Sequence, residues 1–173
     1  MKKVILSLLL SVCLNGLHAQ EILKFKDIPI VGNIEDFNHQ MKEKNYFFLS
    51  DLYHSYHYFG MFYGRKVDIS VGYVPETKQV SGVSVNFPET GDKADKLYDG
   101  LTKQLDKKYN SRKETYVSGL LIWTYGKEYE ITLSRGEQTK KVSLSYNHKA
   151  KSEERYFYQN KHLEIFGEHQ KDL

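Results

Sequence analysis

The strongest constraint on this chain is a two-residue alternation that recurs through its middle and second half. Val67, Ile69, Val71 and Tyr73 alternate with Asp68, Ser70 and Gly72, and Val83, Val85 and Phe87 alternate with Gly82, Ser84 and Asn86. The pattern returns in Leu121-Trp123-Tyr125, Tyr129-Ile131-Leu133 and Val142-Leu144-Tyr146. Side chains on a strand point to opposite faces in turn, so each run describes a strand with one dry and one wet face. That is the signature of antiparallel sheet, since parallel strands are buried on both faces. Pro75-Glu76-Thr77-Lys78, Gly126-Lys127 and Arg135-Gly136-Glu137 supply turns.

Two helical stripes interrupt the strands. Ile34, Phe37 and Met41 recur at spacings of three and four, after Asn33 as N-cap and with Glu35 and Asp36 in the first turn. Asn45 is a left-handed stop. Ala94, Leu97, Tyr98, Leu101, Leu105 and Tyr109 form a longer stripe that starts near Thr90 or Asp92. Leu23-Lys24-Phe25 reads as a first strand, Tyr46–Leu49 as a short one and Tyr56–Tyr63 as a longer one. The first half of the charged tail reads as a third helix, and its last residues as loose. The expected fold is therefore α+β: duplicated helix-plus-antiparallel-meander units, with the helices packed on one face of the sheet and the opposite face left open to bind.

The N-terminus has the three parts of a secretory leader. Lys2 and Lys3 precede the apolar run Val4–Leu14, and Leu17-His18-Ala19 offers a small residue at the cleavage position. The run is about 11 residues, against about 20 for a membrane-crossing helix. The expectation is a signal peptide over 1–19, a cut after Ala19, a single domain over 20–173, and a periplasmic or secreted product. Val12 ahead of Cys13 argues against a lipid-modified cysteine. Cys13 is the only cysteine, so the cut would leave no disulfide, thiol nucleophile or thiolate metal site. Two of the 25 basic residues fall before the cut, and the rest nearly balance 22 acids. The charge therefore points to no nucleic-acid surface, and no later segment is apolar enough to be transmembrane.

Aromatic residues are abundant, with 14 Tyr, 9 Phe and one Trp, all after residue 19. They crowd into Tyr46–Gly64. There Tyr56, Tyr58 and Phe62 share one strand face, while Tyr53, His57, Phe59, Met61 and Tyr63 share the other. Both faces cannot be the same core, so one can be an exposed platform. Gly60 and Gly64 mark bulges or places where a helix or ring lies against the strand.

Several short phrases resemble a group of small secreted, functionally uncharacterised proteins of Bacteroides-type bacteria. They are Phe25-Lys26-Asp27-Ile28-Pro29-Ile30 with Gly32, Gly60-x-Phe62-x-Gly64, Leu105-x-x-Lys108-Tyr109-Asn110 and the final Asp172-Leu173. The chain departs from that pattern at Asp27 and Asn110, where the group favours glycine. At fold level the resemblance extends to β-lactamase-inhibitor-like periplasmic modules. It implies no site residues.

The candidate ligand-binding residues are Tyr56, Tyr58, Phe62, Trp123 and Tyr125, on an aromatic sheet surface that would take a protein, peptide or glycan. The expected role is a non-catalytic binding module without cofactor. The alternatives are a hydrolase using Asp51, His54 and Ser55, and an inhibitor-like or structural envelope protein. No Gly-x-Ser-x-Gly or phosphate loop is present. His54 and His57 lack the partners of a metal site.

Overall fold

The structure, a computed structural model, describes residues 22–169 apart from 110, 114 and 116, and gives the backbone alone beyond residue 161. The leader, Asn110 and Asp172-Leu173 lie outside the described residues. The elements are β1 (Lys24–Phe25), β2 (Ile28–Pro29), α1 (Ile34–Glu43), β3 (Phe47–Leu52), β4 (Ser55–Phe62), β5 (Arg65–Tyr73) and β6 (Val80–Asn86). They continue with α2 (Gly91–Lys108), β7 (Arg112–Lys113), β8 (Leu120–Tyr125), β9 (Tyr129–Arg135), β10 (Val142–His148) and α3 (Lys149–His169).

Eight strands form one antiparallel sheet in the order β3-β4-β5-β6-β10-β9-β8-β7. The fold is thus α+β, as the alternation requires. β6 and β10 meet at the centre, with Val83 opposite Tyr146 and Val85 opposite Leu144. The alternating runs of β5, β9 and β10 bury their apolar side chains and leave the intervening polar ones on the other face, and in β8 Trp123 is buried with Leu121 and Tyr125 half-buried.

Both early helices cover the apolar face. In α1 the Asn33 side chain accepts from the Glu35 amide at 2.9 Å, capping one of the helix's free donors. Ile34, Phe37 and Met41 are buried beneath it, each contributing about 1.5–3 kcal/mol by leaving water. In α2 Ala94, Leu97, Leu101 and Leu105 are buried, and the Trp123 indole N–H of β8 donates to Asp106 at 3.0 Å. The β1–β2 hairpin closes the core. Phe25 stacks on Phe62 of β4 at 5.3 Å and meets Tyr146 of β10 edge-on at 6.0 Å.

The third helix departs from expectation. α3 lies across the opposite, polar face instead of beside α1 and α2. Three side chains along one of its faces hold it there. Ser152 donates to the Ser81 carbonyl at 3.1 Å, Arg155 to Ser55 Oγ at 2.6 Å, and Gln159 to the Tyr53 carbonyl at 3.0 Å. The physical reason is composition. This segment lacks a continuous apolar stripe, so it packs by hydrogen bonds on the wet side. The short edge strand β7 also has no alternation from which it could be read.

Candidate functional site

The aromatic window forms a hairpin, β3–β4, at one edge of the sheet. Its two faces have opposite fates. Tyr58 is fully buried, and its hydroxyl donates to Asn38 of α1 at 3.1 Å. Tyr56 is buried beside it, and its hydroxyl donates to the Glu35 carboxylate. The Glu35 hydrogen bond raises the Tyr56 pKa, and burial raises that of Tyr58. Phe62 is buried against Phe25, and Trp123 is buried at the far side of the core. The expectation that these four side chains form an open platform is therefore corrected: α1, α2 and the β1–β2 hairpin cover them. Tyr125 is half-buried against the Tyr109 ring at 5.7 Å. It and Phe62 line a cavity of about 420 Å³ with Tyr63, Tyr109 and Lys26.

The other face of the hairpin is the open one. Phe47 of β3 stands opposite Phe59 of β4 and is 68% exposed, and Met61 further along β4 is 54% exposed. Leu52 points to the same side and is also exposed. Leu49 is exposed at an irregularity between Phe48 and Ser50, where the register shifts by a residue. Such a bulge twists an edge strand and re-aims its side chains. Phe48 faces the helix-covered side, edge-on to Tyr56 at 5.2 Å and to Tyr58 at 5.7 Å, yet it too is exposed. β3 is an edge strand: its inner side pairs with β4, and among the described residues no strand pairs with its outer side. An unpaired row of backbone donors and acceptors flanked by apolar side chains is a template for another chain.

The exposed face was within reach of the sequence. A two-residue turn at Tyr63-Gly64 fixes Phe62 opposite Arg65, which sets Met61 against Lys66 and Phe59 against Asp68. Those partners belong to the wet face of β5.

The hydrolase alternative has no geometric support. Asp51 lies opposite Tyr56 on the helix-covered face, where its carboxylate accepts from the Tyr73 hydroxyl at 3.0 and 3.1 Å. Ser55 is the next residue along β4 from Tyr56 and so faces the other way, where Arg155 donates to it. His54 occupies the turn between the strands, with its ring 6.1 Å from that of Tyr73. His57 and Ser70 pair across β4 and β5 at 3.1 Å on the polar face. Among the described residues no cluster of His, Cys, Asp and Glu could hold a metal ion, and no helix is long and apolar enough to cross a membrane.

No protein-family model matches the chain, and no curated protein or solved structure is similar to it at a level that carries an inference.

Proposed function

We propose that this chain is an exported, non-catalytic binding module that takes an extended apolar segment of a partner protein as an added strand along β3. The observation that carries this reading is the outer edge of β3, unpaired among the described residues, with Phe47, Leu49 and Leu52 exposed along it. In strand addition the backbone hydrogen bonds supply affinity, and alternate side chains supply specificity. Phe59 and Met61, on the same face of the next strand, continue the exposed apolar surface inward from β3, with Asp68 and Lys66 of β5 as its polar border. Those charges, and Asp51 on β3 itself, also discourage indiscriminate edge pairing.

Lys2, Lys3, the Val4–Leu14 run and the Leu17-His18-Ala19 site support export with removal of residues 1–19. The topology supports descent from a duplicated unit. α1 leads into β3–β6, α2 leads into β7–β10, and the two final strands pair at the centre.

Selection of displayed random peptides against the protein tests the binding reading. The expected winners are proline-poor, alternate apolar with polar residues, and bind at least tenfold more weakly to Phe47→Lys. Winners indifferent to Phe47→Lys would overturn the assignment, as would concentration-dependent dimerisation through β3 that blocks every peptide. Intact mass of the exported product tests the leader, and a mass that includes Met1 to Ala19 would contradict it.

A further inference from the structure

We propose that the groove between α3 and the centre of the sheet is a binding site for a small hydroxylated carboxylate of the uronic-acid type, held by Arg155. The groove has a volume of about 390 Å³, within the range of small-ligand sites. Its floor is made by β4, β5, β6 and β10, and its wall by α3. Serine hydroxyls dominate the lining, among them Ser55, Ser70, Ser84 and Ser145, together with Asn147. Two glycines on the floor make room for its polar groups. A Cβ at Gly72 would collide with the Arg155 guanidinium, and one at Gly82 would lie 2.6 Å from Asn147 Oδ1.

Arg155 carries the inference. Its Nη2 donates to Ser55, while its buried Nε has no hydrogen-bond partner. No carboxylate among the described residues lies within ion-pair distance of it. Burial lowers its pKa, but a guanidinium remains charged at neutral pH. A part-buried cation without a counter-ion is costly, and a planar guanidinium matches a carboxylate in two parallel hydrogen bonds. One cation suits one negative charge. The surrounding hydroxyls and amide donate and accept, as the hydroxyls of a sugar do. Ser84 and Ser145 bond each other at 2.9 Å, which leaves each with capacity for a ligand. The lining of the groove includes no residue of β3, so either reading can fail without the other.

The test is calorimetric titration of the protein with D-glucuronate, D-glucose and inorganic phosphate, repeated on Arg155→Gln and Ser145→Val. Glucuronate is expected to bind, and glucose and phosphate to bind at least tenfold more weakly. Arg155→Gln should weaken glucuronate at least tenfold. Ser145→Val, which fills the groove while leaving Arg155 in place, should do so even if loss of Arg155 loosens α3. No heat with glucuronate, equal binding of glucose or phosphate, or an unchanged affinity in Ser145→Val would overturn the proposal.

Discussion

The ring of Tyr46 occupies the space that a side chain at Gly60 would fill. A Cβ there would lie 2.8 Å from Tyr46 Cε1, with the Cδ1 carbon nearer still. The Tyr46 hydroxyl donates to the Met61 carbonyl at 3.3 Å, so the ring is pinned over the strand. Gly60→Ala should therefore displace Tyr46 from a buried position, with overpacking costing about 1–3 kcal/mol. Thermal unfolding checks this. The melting temperature should fall by several degrees, and an unchanged value would mean that the ring does not rest on Gly60.

Stability should decline at alkaline pH. Burial and the hydrogen bond to Asp51 raise the Tyr73 pKa to about 12, and Tyr46, Tyr56, Tyr58 and Tyr146 are also raised. A phenol whose pKa is higher in the folded state binds its proton more tightly there. Its contribution is complete below the unfolded pKa of about 10 and is lost as pH rises through the folded value. Trp123 is the only tryptophan and is buried, so its fluorescence reports unfolding. The buried set should ionise only together with the Trp123 transition. Ionisation of every phenol near pH 10 with Trp123 still buried would refute this.

The β1–β2 turn carries removable strain. Lys26 and Asp27 both have positive φ, 49° and 69°, as a two-residue turn of the I′ type requires. A side chain in that region costs about 1–2 kcal/mol, less for aspartate. The ion pair of Asp27 with Lys44 spans 3.9 Å at the surface and contributes little. Asp27→Gly should raise stability by about 0.5–1 kcal/mol, after allowing for the greater freedom of glycine in the unfolded chain. Chemical denaturation should show a higher midpoint with an unchanged slope. A lower midpoint would contradict this reading of the turn.

What was readable in the sequence, and what was not, divides along physical lines. The runs Val67–Tyr73 and Val142–Tyr146 and the stripe Ile34-Phe37-Met41 were legible because each repeats the period of its own element. Asn33 was legible as a cap because capping is local. The sheet order was not, since the pairing of β6 with β10 depends on contacts far apart in sequence. The aromatic window shows the limit best. Alternation separated Tyr56, Tyr58 and Phe62 from Phe59 and Met61, but both sets are apolar. Hydrophobicity alone could not say which set α1 covers. Glu35 and Asn38 decide it, because they offer acceptors to the Tyr56 and Tyr58 hydroxyls. α3 was misplaced for the converse reason: its contacts with the sheet are hydrogen bonds, which leave no hydrophobic period.

Residue-resolved amide exchange across Phe47–Leu52, with and without a selected peptide, tests the β3 edge most directly. In the free protein, amides that bond to β4 should be protected, and those on the outer side should exchange quickly. Peptide should slow the outer amides while leaving α2 and β8 unchanged. Outer amides already protected in dilute free protein, or a peptide that protects another part of the chain, would contradict the assignment of β3 as the docking strand.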